Sequence, residues 1–311
     1  MTDVSSGWMI AAALLAGFFC AAGATSASAQ ASKKTPPTDS NFVANAFVEI
    51  ETENLFGFTE GTDIGQPGEK EIGWESVGNF NKRMGNYKTW EHKLELGYTI
   101  ENIHLELGIL GVSAAITNVP DLDNRHINAF AGLSGELKWL IVNRGPGAPV
   151  GLALAIEPEW ARIDDGDGSR VRKYAVETTL MADTELVPDR LYLGANIVYE
   201  PEVISKRGEP IEHESSLTFR TALSYRVLPW LAIGPEFQHM RAYDMGIGLN
   251  HFVGYANFIG PSLYIALGPK ATLTFAWGHQ VRGKSIEEPD QRLNLVDFSR
   301  DIGRIKANFE F

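Results

Sequence analysis

Two stretches of the sequence place chemically able side chains close together. In His213-Glu214-Ser215-Ser216 an imidazole and a hydroxyl stand two residues apart, the pairing by which a base takes the proton of a nucleophilic serine. In Asp164-Asp165-Gly166-Asp167-Gly168-Ser169 clustered carboxylates offer oxygens to a cation such as Ca²⁺. The second stretch lacks the full ligand series and the closing glutamate of a calcium loop, so it reads as a solvated turn. The seven histidines show no metal-ligand spacing, and no phosphate-cradling glycine loop follows a strand and opens a helix. No metal and no cofactor are therefore expected.

A larger resource is a set of charges that share one parity along alternating segments: Glu71, Glu75, Glu91, Lys93, Glu95, Glu106, Glu136, Lys138, Glu157, Glu159, Lys173, Glu177, Arg220, Arg226, Glu236, Arg304 and Lys306. Acids crowd the first half, and bases mark the last segment. If this face encloses water, rings of mixed charge set ion selectivity and orient dipolar solutes. If the interior is plugged, the same charges pair across it and stabilise it.

The elements that would carry these charges are strands. Leu217, Phe219, Thr221, Leu223, Tyr225 and Val227 alternate with Ser216, Thr218, Arg220, Ala222, Ser224 and Arg226, a period of two that no helix can sort. The pattern recurs in segments near 69–80, 87–98, 102–112, 126–140, 150–161, 171–184, 190–200, 214–227, 230–241, 252–266, 270–281 and 301–311. Tight turns such as Val187-Pro188-Asp189 and Gly268-Pro269-Lys270 alternate with longer polar stretches at 113–125, 162–170, 201–213, 242–251 and 283–300. At the start of and within the 201–213 stretch, Glu200-Pro201-Glu202 and Lys206-Arg207-Gly208-Glu209 read as charged surface loop.

Short and long connections in alternation, with about twelve strands of bilayer-crossing length, predict an all-β transmembrane antiparallel up-and-down barrel over 69–311. Aromatics near segment ends, such as Tyr98, Trp139, Trp160, Tyr199, Tyr225, Trp230 and Trp277, suit the two interfacial girdles. A soluble β-sandwich shares the alternation, but its strands are commonly shorter. The segment 41–68 is a lumen plug, a periplasmic segment or extra strands; in the last case the barrel has 14 strands rather than 12. On this parity His213 and Ser215 point the same way as the lipid-facing Leu217 and Phe219.

Before the barrel, Trp8 to Ala22 is an apolar run that ends in small residues with an Ala27-Ser28-Ala29 cleavage pattern. Residues 1–29 are expected to be a cleaved signal peptide, cut after Ala29, with a polar linker over 30–40. The only cysteine, Cys20, lies in that run, so the exported chain would hold no disulfide. Formal net charge is −12, and removing the single charge of Asp3 leaves −11. An acidic chain of this kind argues against nucleic acid as a partner.

Three resemblances add to this reading. Ile305-Lys306-Ala307-Asn308-Phe309-Glu310-Phe311 is similar to the C-terminal signature of bacterial outer-membrane proteins, which implies that Phe309 and Phe311 belong to a signal read by the barrel-assembly machinery. Asn54-Leu55-Phe56-Gly57-Phe58-Thr59-Glu60-Gly61-Thr62-Asp63-Ile64-Gly65 resembles a stretch in an uncharacterised family of proteobacterial outer-membrane barrels, loosely like transporters and porins. The outward His213 and Ser215 resemble the outer-membrane phospholipase A type, but no Asn-Gly follows the serine and no orienting asparagine is evident.

The expectation is a non-enzymatic channel or transporter-like barrel of the bacterial outer membrane, passing small polar solutes and surrounded by outer-membrane lipid and lipopolysaccharide. The alternatives are a non-conducting structural barrel and a lipid hydrolase using His213 and Ser215.

Overall fold

The computed structural model describes residues 50–311. The expected signal peptide, the linker and the first part of the 41–68 segment lie outside the described residues. Twelve strands follow in order: β1 (Lys70–Phe80), β2 (Asn86–Ile100), β3 (Ile103–Thr117), β4 (Arg125–Val142), β5 (Val150–Ile163), β6 (Arg170–Val187), β7 (Leu191–Ser205), β8 (Glu212–Leu228), β9 (Leu231–Tyr243), β10 (Phe252–Gly268), β11 (Ala271–Ser285) and β12 (Asp301–Glu310). Each pairs antiparallel with its chain neighbours, and β12 returns to pair with β1, closing the barrel. Among the described residues the barrel closes with twelve strands, not fourteen.

Closure leaves no sheet edge to be satisfied by solvent, the condition for a sheet surrounded by lipid. The seam runs from Ile72 opposite Phe309 to Phe80 opposite Asp301. Leu94, Leu96, Leu105, Leu107, Ile109, Leu133 and Ile233 point outward and are exposed, Leu107 to 72%. The residues between them point inward, so the wall is apolar outside and polar within.

Aromatics border the apolar wall. Tyr98, Trp139, Tyr225 and Trp230 stand near the short-turn end, while Trp160 and Tyr174 face each other across β5 and β6 toward the long-loop end. Outward polar groups near that second end satisfy one another. Ser76 Oγ lies 2.7 Å from His92 Nδ1, His239 Nδ1 lies 2.7 Å from Asn257 Oδ1, and His279 Nδ1 lies 2.7 Å from Asp301 Oδ1. These features define a transmembrane β-barrel.

Several strands run further toward the long-loop end than the sequence predicts. The pattern of β3 stops at 112 in the sequence reading, but the strand continues to Thr117; β7 continues past 200 to Ser205, and β11 past 281 to Ser285. Glu200-Pro201-Glu202 is therefore strand rather than surface loop, with Pro201 opposite Ser215 of β8. Charged and proline residues look like loop when alternation is read by hydropathy alone. Here both faces of the strand above the lipid meet water, so its outer end needs no apolar side.

Residues 50–68 contribute no strand. They enter at the short-turn end, turn inside the barrel and lead through Glu69 into β1. We call this segment the plug.

Candidate permeation path and its plug

The plug has no ladder of its own, so its backbone groups must find partners on the wall. Glu236 of β9 supplies several: its carboxylate accepts from the N–H groups of Gly57 (2.5 Å), Phe58 (2.7 Å) and Thr59 (3.2 Å). Arg304 of β12 donates to the carbonyls of Gly57 and Phe58, both at 3.2 Å, and to the Glu60 carboxylate at 3.2 Å. Asn196 of β7 accepts from Glu60 N–H and donates to its carbonyl. Lower down, Asp183 of β6 accepts from the Thr52 hydroxyl and Thr62 N–H, both at 2.6 Å. Arg144, in the turn after β4, pairs with Asp183 and with Asp63.

Apolar packing fixes the same side. Leu55 and Phe56, each 1% exposed, join Ile50, Tyr192, Ala222, Ala232 and Tyr264 in one cluster. Phe58, at the apex, packs with Ala256, Phe258, Ala276 and Ile302, and Phe298 of the last long loop closes over them. Each such side chain contributes about 1.5–3 kcal/mol when fully buried. The plug thus leans on the wall from β6 through β12.

The opposite wall stays open. Toward the long-loop end a vestibule of about 1780 Å³, counting space continuous with solvent, is floored by Phe58 and Glu60. Toward the short-turn end a smaller cavity, about 540 Å³ on the same count but with only about 50 Å³ open to the centre of a water molecule, lies between Glu53 and Asn54 of the plug and the inner face of β12 and β1 to β4. Both are bordered by Glu60, Glu75, Lys93 and Arg304, so two acids and two bases stand between them. Arg304 Nη2 lies 2.7 Å from Glu75 and Lys93 Nζ lies 2.8 Å from Glu95 and 2.9 Å from Glu157. Around both cavities carboxylates outnumber cationic side chains about two to one.

Of the residues sharing lumen parity, Glu91, Glu157, Glu159, Lys173, Glu177 and Arg220 border the vestibule, and Glu71, Glu95, Glu106, Glu136, Lys138 and Lys306 border the smaller cavity. Two others point inward without bordering either. Glu236 is covered by the plug it binds, and Arg226 donates to the Pro229 carbonyl of the β8–β9 turn. Glu200, Glu202, Glu53 and Glu60 border the path although the sequence pattern did not single them out. The first two were hidden by the proline between them, and the plug residues by the absence of any period. Separate acidic and basic walls do not form, because the cations stand among acids: Lys173 lies within 4 Å of Asp165, Glu159 and Glu202.

Within the plug, burial pushes the Glu53 carboxyl up to about 7, even though Lys138 Nζ lies 3.2 Å away. Burial acts in the same sense on Glu60, but the Arg304 guanidinium overrides it and holds that carboxyl well below the usual range. One plug carboxylate therefore titrates near neutrality and the other stays charged.

The acidic turn 164–169 forms over the vestibule. Asp164 Oδ1 accepts from the N–H groups of Gly166 and Asp167, and Asp165 takes Lys173 at 2.8 Å. Burial and the charges of Asp165 and Asp167 raise Asp164 to about 6. Ser215 is outward and buried under the loop after β9: its hydroxyl donates to the Gly248 carbonyl at 3.0 Å. The proton an activating imidazole would take is thus given to a backbone oxygen instead.

At the short-turn side of the smaller cavity the fold brings together Glu71, His104 and Glu106. His104 Nε2 lies 3.1 Å from Glu71 Oε1 and 3.2 Å from Glu106 Oε1. Sequence spacing gave no sign of this group, because Glu71 meets His104 across strands.

Fold and interior together define a plugged transmembrane β-barrel. The chain belongs to a family of unknown function, DUF6662, whose profile matches residues 48–311. No curated protein matches the sequence. Among solved structures it is similar to the COG4313 outer membrane channel from Pseudomonas putida F1, with 10% identity over 80% of this chain and 98% of that one and a TM-score of 0.49. It is also similar to the translocator domain of the autotransporter NalP from Neisseria meningitidis, with 11% identity over 80% and 91% of the two chains and a TM-score of 0.48. The NanC porin aligns over 77% of this chain and 98% of its own, with 10% identity and a TM-score of 0.44.

Proposed function

We propose that the protein is a bacterial outer-membrane channel that passes small polar solutes, cations in preference, through the path between the plug and the inner face of β1 to β5. The short-turn end faces the periplasm and the long-loop end the exterior. The observation that carries this reading is the pair of acid-lined cavities with Glu60, Glu75, Lys93 and Arg304 between them. A wall rich in carboxylates in a confined aqueous space concentrates cations and repels anions. The mixed group between the cavities then sets the size limit, since its side chains are held by ion pairs from both faces.

Insertion by the barrel-assembly machinery through Phe309 and Phe311, and a surrounding leaflet of lipopolysaccharide, complete the proposal. The test is single-channel recording of the purified protein in a planar bilayer under a KCl gradient. A reversal potential on the cation-selective side supports the reading. Absence of conductance at every voltage, in the wild type and in variants with a loosened plug, would leave a structural barrel instead.

A further inference from the structure

The strongest unused cluster is Glu71, His104 and Glu106. Its three donor atoms lie within 4.8 Å of one another. A divalent transition-metal ion holds nitrogen and oxygen ligands at about 2.0–2.2 Å, which sets neighbouring ligands about 3.0–3.5 Å apart at octahedral or tetrahedral angles. The two separations from His104 Nε2, 3.1 and 3.2 Å, fall inside that interval.

Three further observations point to an ion. The other ring nitrogen, His104 Nδ1, lies 2.7 Å from Thr99 Oγ1; a hydrogen bond there fixes the ring with Nε2 toward the two carboxylates, where a metal ion would replace the proton that Nε2 donates to them. Asn308 is buried to more than nine-tenths and lines the same cavity; its Nδ2 donates to Glu71 Oε2 at 2.8 Å, while its Oδ1 has no hydrogen-bond partner. A buried amide oxygen without a partner, on a side chain that touches Glu71, is a donor in want of a cation. Finally, position 97 is glycine, and a Cβ there would stand 2.8 Å from both Glu71 Oε1 and His104 Nε2. The missing side chain is what lets the two donors lie side by side.

Of the four cationic side chains bordering that cavity three are engaged elsewhere, Lys138 with Glu53, Lys93 with Glu95 and Glu157, and Arg304 with Glu60 and Glu75. We infer that Glu71, His104 and Glu106 form a binding site for a divalent transition-metal cation, with Asn308 Oδ1 available as a fourth donor. One imidazole among oxygens suits Zn²⁺ or Mn²⁺ over the all-oxygen preferences of Ca²⁺ and Mg²⁺. The site does not depend on conduction, since a closed barrel would hold the same ion.

The experiment is calorimetric titration of the folded, chelator-stripped full-length protein in detergent with ZnCl₂, MnCl₂ and CaCl₂. One equivalent of Zn²⁺ or Mn²⁺ should bind, Ca²⁺ far more weakly, and His104→Gln should weaken Zn²⁺ at least about 30-fold with the barrel intact by circular dichroism. X-ray absorption of the Zn²⁺-loaded wild type, which needs no variant to fold, should show one imidazole among oxygen ligands. Absence of binding, binding indifferent to His104→Gln, or a spectrum without imidazole would each overturn the assignment.

Discussion

Glu236 and Arg304 hold the same two peptide units of the plug from opposite sides. Glu236 takes the N–H groups of Phe58 and Thr59, and Arg304 takes the carbonyls of Gly57 and Phe58 on the other side of the same units. A charged group on each side is a stronger grip than neutral bonds would give, about 1.5–3 kcal/mol for each charge-assisted bond. Glu236→Ala should therefore loosen the plug, raise single-channel conductance several-fold and lower the thermal midpoint. Glu236→Gln, which keeps one acceptor oxygen, should fall between. Unchanged conductance in Glu236→Ala would separate the plug from the path.

The apex can be tested without touching a charge. Phe58→Ala removes the ring packed on Ala256, Phe258, Ala276 and Ile302, a truncation that costs about 3–5 kcal/mol in a packed core. Much of that loss should appear in the plug alone, so conductance should become noisy while the barrel keeps its resistance to unfolding in detergent. Limited proteolysis from the short-turn side should cut the variant near residue 58 and spare the wild type.

Selectivity should follow the acids of the vestibule. Glu157 and Asp165 both border it. The double variant Glu157→Gln, Asp165→Asn should lower the cation-to-anion permeability ratio, read from the reversal potential in a KCl gradient. The difference should shrink in 1 M salt, where the screening length is about 3 Å. A ratio indifferent to the double variant would count against the acid-lined path.

The outer turn offers a pH test with a definite sign. The folded Asp164 carboxyl lies near 6, above its ordinary 3.8. A carboxyl raised in the folded state favours that state fully below the unfolded value and loses the advantage as pH climbs through the folded one. The turn should thus weaken between about pH 4 and 6. Asp164→Asn keeps an oxygen for the two N–H groups and removes the charge, so it should stabilise the protein at pH 7 by roughly 1–3 kcal/mol and flatten that slope. Thermal unfolding in detergent across pH 4 to 8 measures both.

At the far end, Phe309 and Phe311 are about half exposed, their rings stacked at 6.5 Å, and Phe311 N–H donates to the Lys70 carbonyl. Deleting Phe311 should cut the amount of protein assembled in the outer membrane, measured by heat-modifiable mobility in membrane fractions, before it changes conductance of the protein that does assemble. Wild-type levels would remove Phe311 from the assembly signal.

The barrel was legible because lipid on one side and water on the other impose a period of two for most of each strand. Leu217 through Val227 shows it without interruption. The pattern fails where that asymmetry ends: Glu200-Pro201-Glu202 is strand above the lipid and looks like loop. The plug was legible only as a stretch fitting no strand count, since Asn54 to Gly65 takes its backbone partners from side chains scattered over β6 to β12. Glu71 and His104 meet through strand pairing, which parity alone does not reveal. Parity placed Glu236 and Lys93 on the same face, yet one grips the plug and the other borders open space, a difference set by where the plug leans.

Arg304 also bears on the order of events during assembly. It stands on the last strand to be made, its guanidinium touches Glu75 on the first, and it holds Gly57, Phe58 and Glu60, which precede that first strand. Zipping the seam around an unfilled interior would leave this guanidinium with one carboxylate instead of two and without its two carbonyls, a costly state for a buried charge. Completion of the cylinder is thereby tied to its cargo: the final strand docks well only when the earliest segment is already inside.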